Sequence, residues 1–253
     1  MPETLFVVVA SALAGCIDAI VGGGGLILVP ALFGAFPATA PATLFGTNKA
    51  ASVWGTAFAS VQYARRVTLP WASLWPAALV ALTGGALGAW AATQVDAQGL
   101  RRALPVALLA VLVYTLWRKD LGHHHTPRFA GARQTLAACA IGGAIGFYDG
   151  LFGPGTGSFF VFLFVRGLGF DFLHASAAAK VMNVATNLSA LALFAATGHV
   201  WWPLGLAMAV ANVAGSLVGT RLALRHGAGF VRGAFIVVVT ALIAKTAWDA
   251  FKL

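Results

Sequence analysis

The sequence predicts an all-α membrane protein built from two inverted repeats, each a glycine-broken re-entrant hairpin followed by three transmembrane helices. Three observations carry this reading: the composition, an internal repeat, and the distribution of basic residues between loops. Of the 253 residues, 60% are hydrophobic and only 9% charged, against roughly a quarter charged in an ordinary soluble domain. Stretches of about 17 to 25 apolar residues, each long enough for a hydrocarbon core of about 30 Å, account for the excess. The formal charge of +9 would suggest nucleic acid in a soluble protein. Here most Lys and Arg sit in short loops between apolar segments, where insertion topology explains them, and no nucleic-acid partner is expected. Cys16 and Cys139 lie in apolar stretches without motif spacing, so neither a disulfide framework nor a zinc site is indicated. The first apolar run, Leu5 to Val21, has no basic n-region before it and is read as part of the mature chain.

Aligned with itself at an offset of about 131 residues, the chain pairs Gly15 with Gly146, Asp18 with Asp149, Gly22 with Gly153, Gly24 with Gly155 and Lys49 with Lys180. Without a gap the register continues through Trp71 and Trp202, Gly84 and Gly215, Gly88 and Gly219, Arg101 and Arg232, and Trp117 and Trp248. Asp, Lys, Arg and Trp are scarce in this chain, so these matches carry weight that Ala and Leu matches would not. The first repeat, 1–117, reads as apolar segments at 5–21, 26–36, 43–64, 71–93 and 103–117. A basic linker, 118–133, follows. The second repeat, 134–253, has segments at 134–152, 158–169, 173–196, 201–223 and 232–250.

The symmetry turns on whether the broken first element of each repeat crosses the membrane or folds back. If it crosses, Lys and Arg divide almost evenly between the two faces and orient nothing. If it folds back, Arg65, Arg66, Arg118, Lys119, Arg128, Arg133, Arg166, Arg221, Arg225 and Arg232 share one face against Arg101, Arg102 and Lys252 on the other. The second arrangement gives one clear cytoplasmic face. It predicts six full crossings, two re-entrant hairpins, periplasmic termini and halves inverted as in many secondary transporters.

Gly22-Gly23-Gly24-Gly25 and Gly153-Pro154-Gly155-Thr156-Gly157 interrupt apolar helices at a depth where free backbone groups need protein or a water-filled cavity. They read either as tight packing bends or as a substrate site; two helix starts meeting near the midplane would present N–H groups and positive dipole to an anion. Lys49 and Lys180 lie inside apolar helices, where a charge must be paired or face a polar cavity. Asp18 and Asp149 are the matched acids, able to fix packing as ion pairs or to take part in coupling. Asn48, Ser52 and Thr56 surround Lys49, and Asn183, Thr186 and Asn187 surround Lys180. The substrate-binding set is therefore Gly23, Gly24, Gly25, Asn48, Lys49, Gly155, Thr156, Gly157, Lys180, Asn183 and Asn187, with Asp18 and Asp149 as coupling or ion-pair residues. The runs at Gly84 to Gly88 and Gly215 to Gly219 fit close helix packing. His123-His124-His125 could bind a metal but reads as a solvated cluster in a polar linker. No catalytic set, resident metal or cofactor is expected.

The run from Gly15 to Pro30, followed by Gly46-Thr47-Asn48-Lys49, resembles the TauE/SafE family of sulfite exporters, and Asp149 to Gly157 with Lys180-Val181-Met182-Asn183 agrees. The resemblance covers essentially the whole chain. It implies a bacterial inner-membrane permease for sulfur-containing anions such as sulfite, sulfonates or sulfoacetate-like compounds, coupled to an ion such as a proton or sodium. Membrane lipid and a small anion are then its partners, and a homodimer is compatible with it. A channel for small anions or neutral solutes is the alternative, and a sulfur-handling membrane enzyme a weaker one.

Overall fold

The computed structural model describes residues 2–92, 122 and 124–251. The expected segment 103–117, most of the linker's first part including His123, and Lys252 lie outside the described residues. Every regular element among those described is helical.

The chain begins with α1 (Pro2–Val21), breaks at Gly22 and starts again as α2 (Gly25–Ala35). At about 1.5 Å per residue, the 11 residues of α2 rise about 16 Å, half of a bilayer core. Leu28 and Leu32 of α2 share a core with Val7, Ala10 and Ala14 of α1, so α2 returns along α1. The second half repeats this with α5 (Gly131–Leu151) and α6 (Thr156–Leu163), the latter extended by a π-turn over Phe164–Leu168. Gly167, near the end of that turn, lies beside Ile141 of α5, so this segment folds back as well.

Between the hairpins run α3 (Pro41–Ala64) and α4 (Trp71–Ala92). Pro41 opens α3, where its missing N–H costs nothing. Asp171 caps α7 (Phe172–Ala196) by accepting a hydrogen bond from the His174 backbone N–H at 2.7 Å. The last run, α8 (Trp202–Phe251), is broken at Gly227, whose φ of 72° and ψ of −165° are not helical; its two parts correspond to the two expected final segments. By length and composition, Pro2–Val21, Trp71–Ala92, Phe172–Ala196 and Trp202–Ala241 are able to cross a membrane. α1 is thus long enough to span, where the sequence reading makes it one arm of a hairpin. Leu5, Leu13, Trp75, Leu79, Leu136 and Val210 are exposed, as side chains facing lipid would be.

Contacts between halves set the helix directions. Ser11 and Cys16 of α1 meet Met208 and Gly219 of α8, and Ala77 and Gly85 of α4 meet Gly142 and Gly150 of α5, so both pairs run parallel. α3 and α7, the sequence-equivalent helices, run antiparallel. Gly46 meets Phe194, Lys49 bonds Asn187, and Tyr63 lies near Ser176.

The glycine runs let backbones touch at these crossings. A Cβ at Gly88 would strike the Phe147 carbonyl oxygen of α5, and one at Gly219 the Cys16 carbonyl oxygen of α1. With no hydrophobic drive between helices in lipid, such close approach is what holds them together. Gly88→Leu or Gly219→Leu should therefore destabilise the protein by about 1–3 kcal/mol, as overpacking does. Gly229→Ala, where no atom of the described residues lies within 4 Å, should not. Thermal unfolding of the detergent-solubilised protein checks both; equal melting of all three variants would contradict this packing.

Candidate functional site

The last four carbonyls of any helix lack intrahelical partners, and at membrane depth water does not supply them. α1 ends at Val21, and each of its last four carbonyls accepts a hydrogen bond from a side chain. Lys180 Nζ donates to Asp18, whose carbonyl also accepts from the Gly22 N–H at 2.8 Å, Tyr63 Oη to Ala19 at 2.8 Å, Ser176 Oγ to Ile20 at 2.7 Å and Ser158 Oγ to Val21 at 3.2 Å. The ammonium of Lys180 also sits on the negative end of the α1 dipole and reaches the Asp18 carboxylate at 3.1 Å. Three of the four donors come from α6 and α7, so the second half completes the broken helix of the first.

The second break is held differently. Tyr148 Oη donates to the Pro154 carbonyl at 2.5 Å, and Gly153 and Gly155 take φ of 84° and 85°, a region where a side chain would be strained. Lys49 lies at this break, donating to Asp149 Oδ2 at 2.7 Å and Asn187 Oδ1 at 3.0 Å. The ion pairs are therefore crossed: each lysine binds the acid of the other repeat. Between them the two breaks touch, Gly22 against Gly157, so closely that neither has room for a Cβ. Neither α2 nor α6 has a side-chain cap at its start.

A cavity opens where these ends converge, lined by Asp18, Gly24, Gly25, Asn48, Lys49, Asp149, Gly155, Thr156, Gly157, Asn183 and Asn187 among others. The cavity volume is about 30 Å³, room for roughly two or three waters or one small ion. Of the residues assigned to the site from sequence, Gly23 and Lys180 do not line it. Lys180 is fully buried behind Asp18, committed to the end of α1. The structure adds Ala14, Gly22, Ser52, Thr56, Gly153 and Asn212 to the lining. Asn212 was hidden because its repeat partner is Ala81; a polar residue inside the apolar α8 was the available signal. Thr56 Oγ1 donates to Asp18 Oδ2 at 3.3 Å. Asn183 Oδ1 is buried with no hydrogen-bond partner among the described residues, an acceptor that only a donor group would satisfy.

Residues 7–246 match the family described as Sulfite exporter TauE/SafE. The chain is 37% identical over 248 residues to the probable membrane transporter protein ORF9 of Sinorhizobium sp, covering 96% of this chain and 92% of that one. It is 35% identical over 239 residues to the probable membrane transporter protein YfcA of Escherichia coli strain K12, covering 94% and 87% of the two chains. A probable membrane transporter protein of Haemophilus influenzae is 34% identical over 236 residues, covering 93% and 91%. No solved structure matches significantly. With helices apolar enough to span a bilayer and a match across nearly its whole length, the chain belongs to the TauE/SafE family of membrane transporters.

Proposed function

We propose that this protein is a secondary transporter for a small sulfur-containing anion such as sulfite or a sulfonate in the bacterial cytoplasmic membrane, and that it couples the anion to a proton. The anion class rests on the family description, Sulfite exporter TauE/SafE. The observation behind the coupling is the Lys49–Asp149 pair, which faces the cavity at the second break. Lining it directly are two carboxylates, Asp18 and Asp149, and one ammonium, Lys49. Each carboxylate already holds a lysine, Asp149 with Lys49 and Asp18 with Lys180, so an entering anion meets no unpaired positive charge. A proton on Asp149 removes one negative charge and releases Lys49 Nζ, which with Asn187, Asn183 and the start of α6 becomes an anion site. Lys180 has no such freedom, being bound to the end of α1.

Inversion of the halves is supported by the antiparallel α3 and α7 and by the two hairpins that fold back. Rocking one half against the other around the cavity would then alternate access to it. The loop charges favour a cytoplasmic linker and periplasmic termini.

In proteoliposomes, Asp149→Asn should abolish stimulation of sulfite uptake by an inward proton gradient while sulfite counterflow persists. Undiminished gradient dependence would sink the assigned coupling residue, stimulation by sodium alone would replace the proton, and conductance without counterflow would make the protein a channel.

The two lysines should differ in kind. Lys49→Gln should lower sulfite transport at least tenfold and lower the melting temperature less than Lys180→Gln does, since the Asp149 carboxylate it leaves unpaired faces the cavity, where it can take up a proton. Lys180→Gln should melt much earlier, since breaking a buried pair costs about 3–5 kcal/mol. The reverse pattern would exchange their roles.

A reporter fused to the C-terminus should be active only in the periplasm, and activity in the cytoplasm would rule out the inverted arrangement.

A further inference from the structure

We propose that His125, Asp171 and His174 form a binding site for a divalent transition-metal ion of the zinc class, tying the linker to the start of α7. Their ligating atoms all lie within 4.8 Å of one another, although sequence alone placed His125 in a solvated cluster. Two separate stretches of chain supply them, and backbone bonds fix those stretches together. Phe172 N–H donates to the Gly122 carbonyl, Thr126 N–H to Gly169 and Arg128 N–H to Leu168, each at 2.9 Å.

The donor set is partly oriented already. Asp171 Oδ1 accepts from the His174 backbone N–H at 2.7 Å, which holds its other oxygen, Oδ2, 2.8 Å from His174 Nδ1. The His125 ring lies over that of His174 with centroids 3.9 Å apart. A metal ion takes the place of the proton between Oδ2 and Nδ1, and the exposed His125 turns a ring nitrogen onto it. Tetrahedral ligand distances of about 2.0–2.2 Å then require the pair to open by about half an ångström or slightly more. Two imidazoles and one carboxylate are a borderline nitrogen and oxygen set. They suit zinc, nickel or copper, whereas calcium and magnesium require mostly oxygen. The site stands at the head of the helix that carries Asn183 and Asn187 to the cavity.

The test is calorimetric titration of the full-length, tag-free protein in detergent with zinc chloride. The wild type should bind one equivalent, the double variant His125→Ala/His174→Ala should lose at least tenfold in affinity, and His124→Ala should keep it. Zinc X-ray absorption on the wild type should report imidazole nitrogen and oxygen without sulfur, a result independent of how the variants fold. Equal affinity in the double variant, sulfur in the coordination shell, or no stoichiometric binding would overturn the assignment.

Discussion

A helix that stops inside a membrane leaves carbonyl oxygens that no water can satisfy, and much of this structure follows from how α1 meets that constraint. Each unsatisfied group would cost on the order of several kcal/mol in hydrocarbon. Tyr63, Ser158, Ser176 and Lys180 supply the donors. To deliver them, α3, α6 and α7 must all reach the same point, which is why the two hairpins meet tip to tip. Glycines at 22 and 157 are then required, because the backbones touch there.

The repeat in the sequence is symmetric, but the chemistry at the breaks is not. The repeat partners of Tyr63, Ser176 and Ser158 are Phe194, Phe45 and Ile27, which have no hydroxyl to donate. Lys180 is consumed as structure, whereas its partner Lys49 lies beside a break without those caps and faces the cavity. Duplication supplied two copies of a lysine, and divergence of three neighbours gave them different surroundings. Equivalent positions are thus a guide to place in the fold and a poor guide to role.

That distinction marks what the sequence made legible. Element positions came through closely: the expected 43–64 is observed as Pro41–Ala64, and 173–196 as Phe172–Ala196, because apolar length and glycine punctuation decide them locally. α1 and α5 begin three residues earlier than expected, since Glu3 and Arg133 fit in the first turn of a helix. Most of the assigned site residues line one cavity, because polar groups inside apolar helices have few other places to go. The crossed pairing of Asp18 with Lys180 and Asp149 with Lys49 was not legible. Nor was the joining of His125 to His174, which backbone bonds between 122–128 and 168–172 decide, or the place of Asn212, which depends on which helix faces which. Parallel packing of α1 on α8 and α4 on α5 decides that, and no local periodicity records it.

The crossed pairs also limit how a transporter of this design could move. Both ion pairs connect one half to the other, so a relative motion of the halves must either carry each pair along or break it. Lys180–Asp18 is anchored at both ends: Lys180 also holds the α1 backbone, while Tyr63 and Ser176 hold the carbonyls beside it. Breaking it would leave Lys180 buried without its partners, so the contact of α1 with α7 is the pivot about which the halves would rock. Lys49–Asp149 has no such reinforcement among the described contacts beyond Asn187, and its atoms line the cavity. On the proposed mechanism, this pair is the one that protonation and anion binding can open, and the break from Gly153 to Gly157 is the part of the backbone that can yield. Coupling then needs no signal between distant sites, because the group that takes the proton and the group that takes the anion are already each other's partners.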